Sequence, residues 1–212
     1  MLKLYAFARV NKVARGNTRD LRVLWALEEI GLPYEIVGMD HPNHDLDSPA
    51  YRALNPFGQI PVIDDDGVVV TESGAILLYL ARKSGKLMPR DLAGEAQVLR
   101  WSIAALNTIE VPILSRMFVD WNDGKGTKPS QALAHWGKMR LEQLDGWLAN
   151  RRYIATDDFT VADILMTHVL DAGNTPQLLE PFAHVLAYRA RCTERPAWQK
   201  TLDAYRARVE AA

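Results

Sequence analysis

The segment from Asn55 to Tyr79, NPFGQIPVIDDDGVVVTESGAILLY, constrains the fold of this chain more than any other stretch. Val62-Ile63 and Val68 to Val70 are β-branched runs separated by Asp64-Asp65-Asp66-Gly67, which predicts two antiparallel strands joined by a tight hairpin. Pro61 has no backbone N–H, so it belongs at the first position of a strand or on an edge, and the Ile60-Pro61 bond is a candidate cis peptide. Such a bend turns the N–H and C=O of Ile60 outward, where an extended ligand can pair with them. Past the hairpin, Ser73 precedes the apolar pattern Ala75, Ile76, Leu77, Tyr79, Leu80 and is expected to cap a helix. The free N–H groups and the dipole of a helix N-terminus attract carboxylates. A backbone clamp beside a carboxylate cradle suits a small anionic peptide. The plainer reading of Glu72 and Ser73 is that they only cap the helix.

Upstream, Leu2 to Ala8 reads as a strand, Leu21 to Ile30 as an amphipathic helix stopped by Gly31, and Tyr34 to Met39 as a second strand. With the hairpin and a helix from Ser73 to about Lys83, the order is βαβαββα, a mixed sheet whose parallel crossover is right-handed. Ser84 to Leu92, with Gly85 and Pro89, reads as a linker. Strand alternation then ends. Helical periodicity follows over Ala93 to Asn122, Ser130 to Asn150, Thr160 to Asp171, Leu178 to Arg191, and from Ala197 onward. Phe159-Thr160-Val161-Ala162-Asp163-Ile164 carries a capping-box pattern, with Phe159 expected to staple onto Ile164.

Composition excludes several classes of function. Hydrophobic residues make up 48% of 212 residues, enough for a substantial core, and a net charge of −1 with interspersed signs gives no nucleic-acid footprint. No apolar run approaches the roughly 18 residues of a membrane span, and MLKLYAFARV lacks the apolar core and cleavage site of a signal peptide. The single cysteine, Cys192, excludes an internal disulfide and a C-x-x-C pair, as suits a reducing compartment. These features lead us to expect a cytoplasmic protein without a membrane or nucleic-acid partner.

Ile60-Pro61 and Glu72-Ser73, followed by an all-helical second half, resemble the glutathione S-transferase superfamily over most of the chain. The resemblance implies a thioredoxin-like N-terminal domain with a mixed four-stranded sheet at 1–83, a linker at 84–92 and an all-α domain at 93–212. It implies that the Ile60 backbone, beside Pro61, pairs with the cysteinyl part of glutathione. Glu72 and Ser73 would hold the γ-glutamyl end. Gln59 stands near the glycyl end, and His44 or Arg52 is implied at the glycyl carboxylate. Glutathione would be a co-substrate, no metal is implied, and most family members are two-fold homodimers.

Glutathione sulfur is a nucleophile only as thiolate, and a free thiol has a pKa near about 8.5, so the site must favour the ionised form. The family's usual Ser, Tyr or Cys before the first helix has no clear match here. By alignment from Leu21 the position falls at Asn17 and Thr18, whose amide N–H and hydroxyl can each donate to a thiolate. Either residue can equally be a plain helix cap. The loop Arg9 to Asp20 is longer than the family's turn and brings in Asn11, Lys12, Arg15 and Arg19. Tyr5, inside a strand, is more at home packing than catalysing. His41 and His44 in DHPNHD lack further ligands for a metal, and Cys192 reads as a packing residue. Trp101, Ala104, Ala105, Thr108, Met117 and Trp121 are candidates to line the apolar electrophile site, although helical spacing would equally bury them in a core.

The expected activity is conjugation of glutathione thiolate to soft hydrophobic electrophiles, a detoxification chemistry. Glutathione-dependent isomerase, ether-cleaving, disulfide reductase and peroxidase activities share the fold and are not separated by sequence. From another class, the alternative is a non-catalytic glutathione-binding or assembly module, favoured by the missing catalytic Ser or Tyr.

Overall fold

The computed structural model describes residues 1–171 and 176–211. The chain divides into two compact units, Met1–Lys86 with Arg195–Ala212 and Leu87–Glu194.

The first unit opens with β1 (Leu2–Val10), α1 (Asp20–Ile30), β2 (Glu35–Asp40), α2 (Pro49–Leu54), β3 (Val62–Asp65), β4 (Val68–Thr71) and α3 (Ser73–Ser84). The sheet runs β2-β1-β3-β4, with β1 and β2 parallel and the other two pairings antiparallel. That is the mixed four-stranded sheet expected from sequence. Leu4 and Ala6 of β1, Val62 and Ile63 of β3, Trp25 and Leu27 of α1, and Ile76 and Leu80 of α3 are buried between the sheet and its helices. The hairpin turn is shorter than Asp64 to Gly67: Asp64 and Asp65 complete β3, and only Asp66 (φ 51°) and Gly67 (φ 95°) form the loop. Both left-handed residues match the twist of the flanking strands. Gly31, at φ 76°, closes α1 by donating its N–H to the Leu27 carbonyl at 2.8 Å.

The second unit contains α4 (Leu92–Ile103), α5 (Glu110–Val119), α6 (Lys128–Leu148), α7 (Val161–Asp171), α8 (Pro176–Leu179) and α9 (Ala183–Thr193). A wide π turn, Ala104–Ile109, joins α4 to α5, and the Glu110 N–H reaches back to the Ala105 carbonyl. Pro112 explains the wider register: it offers no N–H, and its ring crowds the carbonyl four residues before it. Within the helical stretch Leu92–Gly124 an 18-residue window reaches a mean hydropathy of 1.2, long and apolar enough by length and composition alone to cross a membrane. Its α4 and α5 segments pack against α7 and α6 of the same unit, with 33% of that window buried.

At α7, Asp163 accepts from the Thr160 N–H at 2.8 Å, the Thr160 hydroxyl at 3.0 Å, the Ile154 N–H at 2.9 Å and the Tyr188 phenol at 2.9 Å. The expected capping box is thus half formed, because Thr160 donates its hydroxyl to Asp163 instead of accepting from it. Phe159 meets Tyr153 edge to face at 5.5 Å. Burial pushes the Asp163 carboxyl and the Tyr188 phenol up, and the buried Cys192 thiol up to about 12.

The last helix, α10 (Pro196–Arg208), departs from the expected all-α domain at 93–212, since it belongs to the first unit and packs on α1. Trp198 lies 4.7 Å from Trp25 between ring centroids. Arg195 grips Glu29 with two bonds of 2.6 and 2.7 Å, and Lys200 meets Glu28 at 2.6 Å. A short β5 (Glu210–Ala211) then pairs parallel with Arg9 and Val10 of β1. The helical periodicity after Ala197 was legible, but a partner more than 160 residues away leaves no local signal.

Candidate active site

Ile60 sits at the entrance to β3, 8% exposed, and the Ile60-Pro61 peptide is cis. The carbonyl just before it, on Gln59, accepts from the Tyr51 phenol and from Asn55 Nδ2, both at 2.8 Å. The entry strand is therefore held from behind by α2 and the turn that follows it. Ladder pairing begins only at Val62, opposite Tyr5 and Thr71, and among the described residues no hydrogen bond engages the Ile60 N–H or C=O. The expected backbone clamp is open. Asn55 and Tyr51, which aim it, went unnoticed in the sequence, although Asn55 followed by Pro56 is a turn signal.

Glu72 and Ser73 open α3, with a shift of one position from the expected cap. Glu72 precedes the helix, its carbonyl accepts from the Ile76 N–H at 2.9 Å, and its side chain makes no cap hydrogen bond. Ser73 is the first helical residue. The Glu72 backbone lies at φ 66° and ψ 117°, a conformation rare for a residue with a side chain and one that clusters at ligand sites. Its side chain is exposed, while Ser73 is buried and its Oγ accepts from Arg22 Nη1 at 3.1 Å. Arg22 is 1% exposed within the apolar face of α1. Its guanidinium adds a positive field beneath the α3 N-terminus, where the first N–H groups have no protein partner among the described residues. Sequence reasoning missed this arginine. The available signal was a charge inside LRVLWAL, where a buried helix face should be apolar.

On the far side of the clamp, Gln59 is exposed. His44 is exposed too and left-handed at φ 61°, and its Nδ1 lies 3.1 Å from Asp47. Asp47 in turn accepts from Arg52 at 2.7 Å, and the two contacts, that to Arg52 the larger, hold its carboxyl low. The Arg52 guanidinium also donates to the Pro56 carbonyl at 3.0 Å and lies so close to Gly58 that a Cβ there would meet it at 2.5 Å. Gly58 is favoured by its left-handed φ of 59°, whereas the Arg52 side chain end could swing aside for a Cβ. His44 and Arg52 belong to one loop network rather than projecting independently. Among the described residues no histidine, cysteine and carboxylate cluster of metal-binding size occurs.

The two thiol candidates differ sharply. Thr18 is 7% exposed and its Oγ1 lies 2.7 Å from the Tyr205 phenol oxygen. It also bonds the carboxylate of Asp20, a fully buried residue that accepts the Phe7 N–H at 3.0 Å. Burial pushes the Asp20 carboxyl up, against its hydrogen bonds with Thr18 and Phe7 and the positive charge of Arg208. Asn17 is half-buried, and its side-chain amide carries no hydrogen bond among the described residues. Tyr5 packs edge to face on Tyr51 at 5.8 Å in an apolar cluster with Met39, Leu46, Ile60 and Val62.

In the second unit, Trp101 stacks on Trp147 at 4.9 Å and Ala105 is buried, so both serve the helical core. Thr108 is half-buried and Trp121 is 67% exposed. A cavity of about 450 Å³ lies elsewhere in this unit, between α5, α6 and the 177–182 segment. Ile113, Met117, Leu133 and Phe182 line it, together with Arg116, Asp120 and Lys138. Of the residues expected at the electrophile site, only Met117 reaches it.

A mixed four-stranded sheet, an open backbone clamp before β3 and an anion-attracting start of α3, followed by a helical unit, define a thioredoxin-like domain joined to an all-α domain. Residues 13–82 match the family Glutathione S-transferase, N-terminal domain, and residues 130–196 match Glutathione S-transferase, C-terminal domain. The chain belongs to the glutathione S-transferase superfamily. It is 32% identical over 200 residues to Glutathione S-transferase 3 of Schizosaccharomyces pombe, covering 85% of this chain and 81% of that one. Among solved structures, a Pseudomonas fluorescens glutathione transferase family member with two glutathione molecules bound aligns with a TM-score of 0.83 at 27% identity, covering 95% and 92% of the two chains. A Pseudomonas putida glutathione transferase with one glutathione disulfide bound per subunit gives 0.83 at 29% identity, covering 95% and 90%.

Proposed function

We propose that this protein binds glutathione through the Ile60 backbone, Glu72 and Ser73, with Gln59 and the His44–Arg52 loop at the glycyl end. It then transfers the glutathione thiolate to soft apolar electrophiles. The observation that carries the reading is the unpaired Ile60 backbone beside an α3 N-terminus backed by the buried Arg22. Glutathione, bound in the Pseudomonas fluorescens neighbour and present as its disulfide in the Pseudomonas putida one, has the extended backbone and paired carboxylates that such a site fits. Asn17 is the thiolate donor in this reading, because its amide is free whereas the Thr18 hydroxyl is engaged on both sides. The electrophile belongs to the helical unit, where the half-buried Thr108 and the exposed Trp121 remain the proposed contacts, Trp101 and Ala105 being taken up by the core. The exposed Phe57, Ile103, Phe118 and Trp121 support a homodimer, and the lone buried cysteine supports a cytoplasmic setting.

Calorimetry with glutathione and turnover of a chlorinated aromatic test the reading together. Binding in the micromolar to millimolar range with measurable conjugation is expected, and no binding at millimolar glutathione would overturn it. In Asn17→Ala the pKa of the bound thiol, read from thiolate absorbance against pH, is expected to rise by about one unit, a tenfold change in the thiolate equilibrium. An unchanged pKa removes Asn17 from the role. Thiolate attack on a disulfide sulfur, expelling a second thiolate, is a rival use of the same site. It draws support from the glutathione disulfide of the Pseudomonas putida structure. Faster turnover of a mixed disulfide than of the aromatic would select it.

A further inference from the structure

The turn that carries Asn17 is held by an element from the other end of the chain. Gly16, at φ 87°, donates its N–H to the Tyr205 phenol oxygen at 3.5 Å. Tyr205 and Thr18 share the 2.7 Å hydroxyl contact, and Thr18 bonds Asp20 at the start of α1. One residue earlier, Arg15 Nη2 donates to the Arg206 carbonyl at 2.8 Å. Asn17 therefore sits between two residues anchored to α10, while its own side chain makes no hydrogen bond among the described residues.

We propose that Tyr205 is a positioning residue of the thiol site: through Gly16 and Thr18 it fixes the turn that presents the Asn17 amide to glutathione sulfur. This rests on the glutathione reading above. Proton counting supports the arrangement. An ionised Asp20 can only accept, so Thr18 donates to it and Tyr205 donates to Thr18. With Asp20 protonated the chain runs the other way, from Asp20 to Thr18 to Tyr205. In both directions the Thr18 proton stays inside the chain, which leaves sulfur to Asn17.

The surroundings have the character of a tuned site. Tyr205 is 1% exposed, and a phenylalanine would fill the same volume, so its hydroxyl is there to bond. One turn on, the Arg208 guanidinium lies 5.9 Å from the Tyr205 ring, with all three nitrogens shut off from solvent and without a hydrogen-bond partner among the described residues. The groups that bear on the cluster are Asp20 from α1, Tyr205 and Arg208 from α10, Tyr51 from α2, and Tyr34 ahead of β2.

Tyr205→Phe removes only the hydroxyl. In the full-length protein, the pKa of bound glutathione thiol is expected to rise by about one unit, with turnover falling about tenfold near pH 6.5 and recovering at high pH. The glutathione Kd should stay within about twofold. Thr18→Val should reproduce the shift, Thr18→Ser should largely restore the wild-type profile, and the double variant should be no worse than either single, since both act through one chain. A wild-type thiol pKa in Tyr205→Phe, or additive losses in the double variant, would overturn the proposal. Should Tyr205→Phe fail to fold, the contrast between Thr18→Val and Thr18→Ser tests the same chain from its other end. Wild-type protein that binds no glutathione fails the underlying reading instead, and calorimetry reports that separately from the thiol pKa.

Discussion

Ser73 owes the direction of its hydroxyl to a residue 51 positions earlier. With Arg22 donating to Ser73 Oγ, the Ser73 proton is left to point away from α1, toward whatever occupies the start of α3. Ser73→Ala should therefore weaken glutathione binding about tenfold, the worth of one hydrogen bond to a charged group, when measured by calorimetry. An unchanged Kd would reduce Ser73 to a packing residue. The Ile60-Pro61 and Glu72-Ser73 pairs were legible in the sequence because their chemistry is local: a missing N–H and a helix start announce themselves within a few residues. Arg22 and Tyr205 were not. A charge in an apolar helix shows only that it needs a partner, and a tyrosine near the C-terminus does not announce a threonine 187 residues away. The choice between Asn17 and Thr18 was open for the same reason.

At the scale of elements, β3 and α3 are tied together at Asp65. This buried carboxylate ends β3 and pairs with Lys83 and Tyr79 of α3, the Tyr79 bond being 2.6 Å. The Lys83 contact first, then Tyr79, holds its pKa below the ordinary 3.8. A carboxyl lowered in the folded state contributes stability that is present above 3.8 and lost as pH falls through its lowered value. Asp65→Asn should accordingly flatten the fall in urea midpoint below pH 3.8 relative to wild type. Parallel acid limbs in the two proteins would disprove the linkage. Boundaries were less readable than elements. The hairpin and α1 fell within a residue or two of their expected ends, yet the helix expected from Ala93 to Asn122 changes register at Ala104–Ile109, because Pro112 breaks the ladder without erasing its periodicity.

At the scale of the molecule, the first unit is assembled from both ends of the chain. Trp198 stacks on the fully buried Trp25, and the Arg195–Glu29 pair locks α10 along α1. Trp198→Ala should cost about 3–5 kcal/mol of stability in denaturant unfolding, in line with other large aromatic truncations in cores. A loss below about 1 kcal/mol would show that α10 is only loosely applied. The mixed sheet and the helical half were legible from periodicity, whereas the return of α10 was not, since an amphipathic helix does not encode which of two cores it covers. That return sets a timetable. A ribosome delivers Trp25 and the Gly16–Thr18 turn long before Trp198 and Tyr205, so in a nascent chain both wait for α10 to emerge before the first unit can close. Premature termination after α9 therefore yields a chain in which Trp25 lacks its Trp198 partner and the Gly16–Thr18 turn lacks its Tyr205 brace.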